Sequence, residues 1–127
     1  MSTETASGGF ALHTESMTGL HWLGVATAVV SGVIHLWLAV SFIGESLGLG
    51  IGFLVAGVGF LAGSAAVLFD YRRRAFYALG IPFTLGQIVI WLAVTPADEY
   101  LSPIAVTDKL AQVILVVVLV VLFRRAS

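Results

Sequence analysis

Polar side chains are scarce in the long apolar runs of this chain, so the few that occur there are the first candidates for chemistry. His35, Gln87 and Gln112 fall in three different runs, at depths that agree within roughly one helical turn. Imidazole and carboxamide groups both donate and accept hydrogen bonds, so together they can close a cluster. Ser31, one turn from His35, can join it. Such a layer suits an ion, a quinone headgroup or a proton. It equally suits interhelical glue, at about 0.6 kcal/mol per bond in membranes, and glue is the expected role. The reason is the lack of a carboxylate at mid-depth. Asp108 lies near the end of its run, one turn from Gln112, and is expected at the membrane interface with Thr107 as a local partner.

His21 and His35 stand fourteen residues apart on one helix face, which is about 21 Å along the axis. That spacing resembles the paired haem ligands of b-type cytochromes, but each haem needs a second axial ligand. The third histidine, His13, precedes the first apolar run. Haem would therefore need a homodimer or a non-histidine ligand. No cofactor is expected; should one bind, His21 and His35 are the candidates, with His21 otherwise an interfacial residue beside Trp22.

Soluble-type active sites leave no trace. There is no phosphate-binding glycine loop attached to a strand and no His-x-x-x-His pair. No serine sits in a strained turn context. Cysteine is absent, which removes thiolate metal sites and cysteine nucleophiles together. The net charge of −1 gives no basic field for nucleic acid. No metal site and no enzymatic activity are expected.

The elements that must position these residues follow from composition. Of 127 residues, 59% are hydrophobic and 10% charged, and mean hydropathy is +1.05. A water-soluble surface needs about 25% charged residues, so lipid is the natural solvent. Apolar runs at 20–43, 48–69, 75–95 and 103–123 each reach the roughly 20 residues that span a bilayer as a helix. The class is all-α, a four-transmembrane-helix up-down-up-down bundle with short links. Residues 1–19 are polar and are expected to form a disordered cytoplasmic tail, leaving 20–127 as the transmembrane domain. Ser102-Pro103 is a good helix start, and Pro82 is expected to kink the third helix.

Charge sets the orientation. Arg72, Arg73 and Arg74 lie between the second and third helices, and Arg124 and Arg125 follow the fourth. Glu45, Asp98, Glu99 and Asp108 fall at the opposite end with the single lysine, Lys109. The positive-inside rule then predicts that both termini are cytoplasmic. Small residues suggest the packing. Gly24, Ala28 and Gly32 line one face of the first helix, and Gly48, Gly52, Ala56, Gly59 and Gly63 mark the second. These stripes are expected to bring the two helices together, with a homodimer seam as the alternative. Trp37 and Trp91 are expected in the interfacial aromatic belt.

Several segments carry a resemblance: His21-Trp22-Leu23-Gly24-Val25, Gly32-Val33-Ile34-His35-Leu36, Phe69-Asp70-Tyr71-Arg72-Arg73-Arg74, Gly80-Ile81-Pro82-Phe83-Thr84, Asp108-Lys109-Leu110-Ala111-Gln112-Val113 and Phe123-Arg124-Arg125. Over about 20–125 the chain resembles an uncharacterised family of small haloarchaeal integral membrane proteins, a domain of unknown function. The resemblance implies a four-helix fold in a haloarchaeal cell membrane and no activity. It singles out His35, Asp70, Gln87 and Asp108 as places to look. The expected function is that of a non-enzymatic accessory or scaffold protein of the cell membrane. Its expected partners are the lipid bilayer, other membrane proteins or a second copy of itself. The alternatives are a small oligomeric transporter or channel built on the polar layer, and a haem- or quinone-binding redox subunit using His21 and His35.

Overall fold

Four helices dominate the computed structural model, which describes residues 12–126. They are α1 (Gly19–Phe42), α2 (Leu47–Leu68), α3 (Arg73–Val94) and α4 (Pro103–Arg125), joined by short links, with no strand among the described residues. All four are long and apolar enough to cross a membrane. The observed ends differ from the expected ones by two residues or fewer. Outward faces carry large exposed apolar side chains such as Val40, Leu79, Val89 and Val117, which lipid solvates and water would not.

Each helix end has a local chemical cause. Ser46 and Ser102 cap α2 and α4, their hydroxyls accepting from the N–H groups of Leu49 (3.2 Å) and Ala105 (3.3 Å). Pro103 occupies the first turn of α4, where its missing N–H is not needed. At the start of α1 the Thr18 N–H donates to His21 Nδ1 at 3.0 Å, so an imidazole does the work usually given to glutamate in a capping box. At the end of α2, Asp70 takes a left-handed φ of 53°. The N–H of Tyr71 then reaches the Ala66 carbonyl and that of Asp70 reaches Val67, a Schellman ending. Arg73 completes it by donating from Nε (2.9 Å) and Nη2 (2.7 Å) to the Val67 carbonyl.

The same arginine holds the chain ahead of α1. Its Nη2 donates to the His13 carbonyl at 3.0 Å and its Nη1 to Ser16 Oγ at 2.8 Å. The His13 N–H donates to the Leu68 carbonyl at 2.8 Å, and Thr14–Ser16 forms a 3-10 turn. Within the expected tail, His13 and Ser16 are therefore hydrogen-bonded to the α2–α3 corner; residues 1–11 lie outside the described part.

Around the bundle, α1 makes its broadest contact with α2, α4 packs on both α1 and α3, and α2 barely touches α3. The close approach of α1 and α2 occurs at Gly32 and Gly57. A β-carbon on Gly57 would stand 2.8 Å from the Leu36 side chain and 3.0 Å from the Gly32 carbonyl. This corrects the small-residue reading in detail. Gly24 faces Val118 of α4, and Gly59 lies under the Phe83 ring of α3. Gly48, Gly52 and Gly63 face open space. Ala28 and Ala56 are buried as expected. The α2 stripe thus borders the loose α2–α3 seam, because glycines offer no side chain to fill it. Phe60 and Phe83, edge to face at 5.2 Å, bridge the seam near its middle. A cavity lies on either side of them. Helix α3 runs unbroken through Pro82 and is the least buried of the four; Tyr77 and Thr84 are its buried residues.

Candidate functional site

Ser31, His35, Gln87 and Gln112 do come together, and the structure adds two charged residues that join them. Ser31 Oγ, on α1, donates to Asp108 Oδ1 on α4 at 2.5 Å. Lys109 Nζ donates to Asp108 Oδ2 at 3.0 Å and to Gln112 Oε1 at 2.7 Å. Gln112 Nε2 donates across to Gln87 Oε1 on α3 at 3.2 Å, and Gln87 Nε2 ends the chain on the Phe83 carbonyl at 3.2 Å. His35 Nδ1 is 2.7 Å from the Ser31 carbonyl, a contact that requires the proton on that nitrogen. The same atom lies 3.8 Å from Asp108 Oδ1. Three helices are tied by one continuous polar network.

Burial of Asp108 overturns the expectation that it is interfacial: it is only 4% exposed. The cause is the stagger of the helices. Asp108 is five residues into α4, about 8 Å from its start. Its partner Ser31 is twelve residues into α1, near the middle of that helix. The first turn of α4 is thus recessed against α1, and a residue near its own helix end meets the centre of its neighbour. Depth counted along single helices misses this, and it also missed Lys109. The alternation Asp108-Lys109 with Gln112 one turn on was the available signal.

The surroundings suit a desolvated charge pair. Lys109 Nζ stands 5.2 Å from the centre of the Trp91 ring, a cation–π contact. Trp91 packs on Tyr100 at 4.9 Å, and the Tyr100 hydroxyl donates to the Leu92 carbonyl at 2.8 Å, one of the free carbonyls ending α3. Trp91 is therefore half-buried, with its ring against Lys109 at the site. Trp37 is exposed. His35 is flanked by Phe53 and Phe60 at 5.9 and 5.6 Å between ring centres.

This network floors a cavity of about 480 Å³ in the arginine-poor half of the bundle. Its deep end is lined by His35, Gln87, Asp108 and Lys109, and its rim by Thr95 and Glu99 near the α3–α4 link. Apolar side chains from all four helices make the remaining wall. That size and mixed lining are usual for small-ligand sites. His21 is elsewhere: it caps α1 and borders the second cavity, so the two helix-one histidines do not share a site.

The five arginines gather at the opposite end. Arg74 Cζ lies 4.2 Å from the Phe123 ring centre, which joins the start of α3 to the end of α4 and puts both clusters on one side. Arg73 is the structural tie described above. Asp70 is its 3.4 Å ion-pair partner, and Arg72 stacks on Tyr71. Arg72, at φ 48°, and Asp70 are the non-glycine residues with left-handed backbone among those described. Among the described residues no cluster of three or more histidine and carboxylate ligands could hold a metal ion.

Neither a curated protein nor a solved structure matches the chain. Residues 7–123, which include every residue of the network and both cavities, match a family of unknown function, DUF7475, and the chain belongs to that family.

Proposed function

We propose that this membrane protein acts by binding rather than catalysis, as a non-enzymatic accessory component whose site is the arginine-poor cavity. The observation that carries this reading is the Asp108–Lys109 pair on the cavity floor. A largely buried ion pair adds little stability over apolar side chains of similar volume, so fold stability does not account for it. Two of the three Lys109 N–H donors are taken by Asp108 and Gln112, which leaves one for an incoming acceptor. The proposed ligand is a small polar group, carried by a solute or by another membrane component, that enters from the Glu99 rim. The cell membrane of a haloarchaeon, with the arginine-rich end in the cytoplasm, is the setting we propose; sequence resemblance and the positive-inside rule support it.

The test is native mass spectrometry of protein released from its own membrane. A bound species retained by the natural chain and lost in the neutral Asp108→Asn/Lys109→Met variant supports the reading. Identical spectra for the two, or no bound species in either, contradict it.

A second reading, transport, is favoured by the convergence of three ionisable side chains, His35, Asp108 and Lys109. Between them and the arginine-rich end lies an apolar layer that includes Phe60, Leu115 and Leu119. Transport therefore needs a second conformation that opens this layer. Flux into proteoliposomes that is abolished by His35→Ala and by Asp108→Asn would favour it, and absence of flux in the natural chain would end it.

A further inference from the structure

The second cavity, about 280 Å³, lies in the arginine-rich half of the bundle and is lined by all four helices, mostly by α2 and α3. We infer that it is a binding site for a lipid-soluble quinone, held by the hydroxyls of Tyr77 and Thr84. Both side chains line the cavity and are almost fully buried, at 2% and 1% exposure. Neither hydroxyl has a hydrogen-bond partner among the described residues. Hydroxyls elsewhere in the bundle show that this is not the rule. Thr27 Oγ1 donates to the Leu23 carbonyl at 2.9 Å, and Ser64 Oγ to the Phe60 carbonyl at 3.0 Å. Thr84 could turn back onto its own helix in the same way and does not. Buried donors without partners are rare enough to call for an explanation, and an absent acceptor is the simplest.

The cavity sets the chemistry of that acceptor. None of its lining residues is Asp, Glu, Lys or Arg, so it selects an uncharged guest. Phe60, Phe76 and Phe83 supply ring faces, which suit a flat conjugated body. Tyr77 and Thr84 are seven residues apart on one face of α3, about 10 Å along the axis. The guest must therefore present acceptors at two separated points, and a quinone carries carbonyls on opposite edges of one ring. Its isoprenoid tail needs an exit into lipid. Gly63 provides one: a β-carbon there would meet nothing within 4 Å, on the seam where α2 and α3 hardly touch. The Phe60–Phe83 pair separates this cavity from the arginine-poor site.

The probe is decyl-ubiquinone, titrated into protein in nanodiscs with Trp37 and Trp91 replaced by phenylalanine. Trp22, beside the cavity residue His21, then reports by quenching. Expected are saturable quenching, no competition by decylbenzene, and affinity about tenfold weaker in Tyr77→Phe/Thr84→Val. Gly63→Leu, which blocks the exit without touching either hydroxyl, should slow or abolish binding. A thermal melt confirms that each variant is folded; should the double variant fail, Thr84→Val alone is read, with a several-fold loss expected. Quenching that is linear in probe, equal competition by decylbenzene, or unchanged affinity without the hydroxyls would each overturn the assignment.

Discussion

Removing the Ser31 hydroxyl tests whether the polar network is ordinary interhelical glue. Ser31→Ala deletes one buried donor and little volume. Its Oγ is 2.5 Å from Asp108 Oδ1, the short distance of a hydrogen bond to a charged acceptor. Hydrogen bonds to charged groups contribute about 1.5–3 kcal/mol, against about 1 kcal/mol for neutral pairs. Interhelical bonds in membranes average about 0.6 kcal/mol, because the unfolded helices find other partners in lipid. Asp108 has few such substitutes, since Ser31 itself is fully buried and the carboxylate nearly so. Ser31→Ala should therefore cost about 2 kcal/mol in detergent-driven unfolding. In the cycle with Asp108→Asn, which keeps an acceptor but loses the charge, the coupling should be about 1.5 kcal/mol. A coupling at or below about 0.6 kcal/mol would refute the charged-acceptor argument and return the bond to the general run of membrane contacts.

Other outcomes follow from single contacts. Gly57→Ala should lose about 1–3 kcal/mol in the same unfolding assay, because its β-carbon collides with Leu36 and the Gly32 carbonyl, whereas Gly52→Ala should change nothing. Arg73→Lys should speed amide exchange at His13, since an ammonium cannot reproduce the fork that holds Val67, His13 and Ser16 together. Thr84→Val should be neutral or raise the melting temperature of ligand-free protein, as it removes a buried donor that has no partner.

The helices were legible because a bilayer leaves few choices for apolar runs of this length. The start of α4 was legible from Ser102 and Pro103, whose capping chemistry is local. The convergence of His35, Gln87 and Gln112 could be read from depth along each helix. What could not be read was relative stagger, which depends on packing between helices. That one quantity hid Asp108 and Lys109, and with them the charge of the site. Small-residue stripes misled for a related reason. Spacing marks a face but not the neighbour it meets, so the stripe through Gly52, Gly59 and Gly63 turned out to border α3. The contact that matters uses Gly57, whose seven-residue spacing with the buried Gly50 and Ser64 was the overlooked pattern.

Labelling from water tests the central claim most directly, namely that the arginine-poor half holds an open cavity reaching down to Asp108 and Lys109. The chain has no cysteine, so each introduced thiol reports alone. Ala105→Cys and Gly52→Cys line the cavity, while Val117→Cys faces outward among apolar side chains. A membrane-impermeant thiol reagent added at the arginine-poor side of oriented vesicles should label the first two and spare the third. Failure to label both cavity positions, or labelling only from the arginine-rich side, would contradict the account.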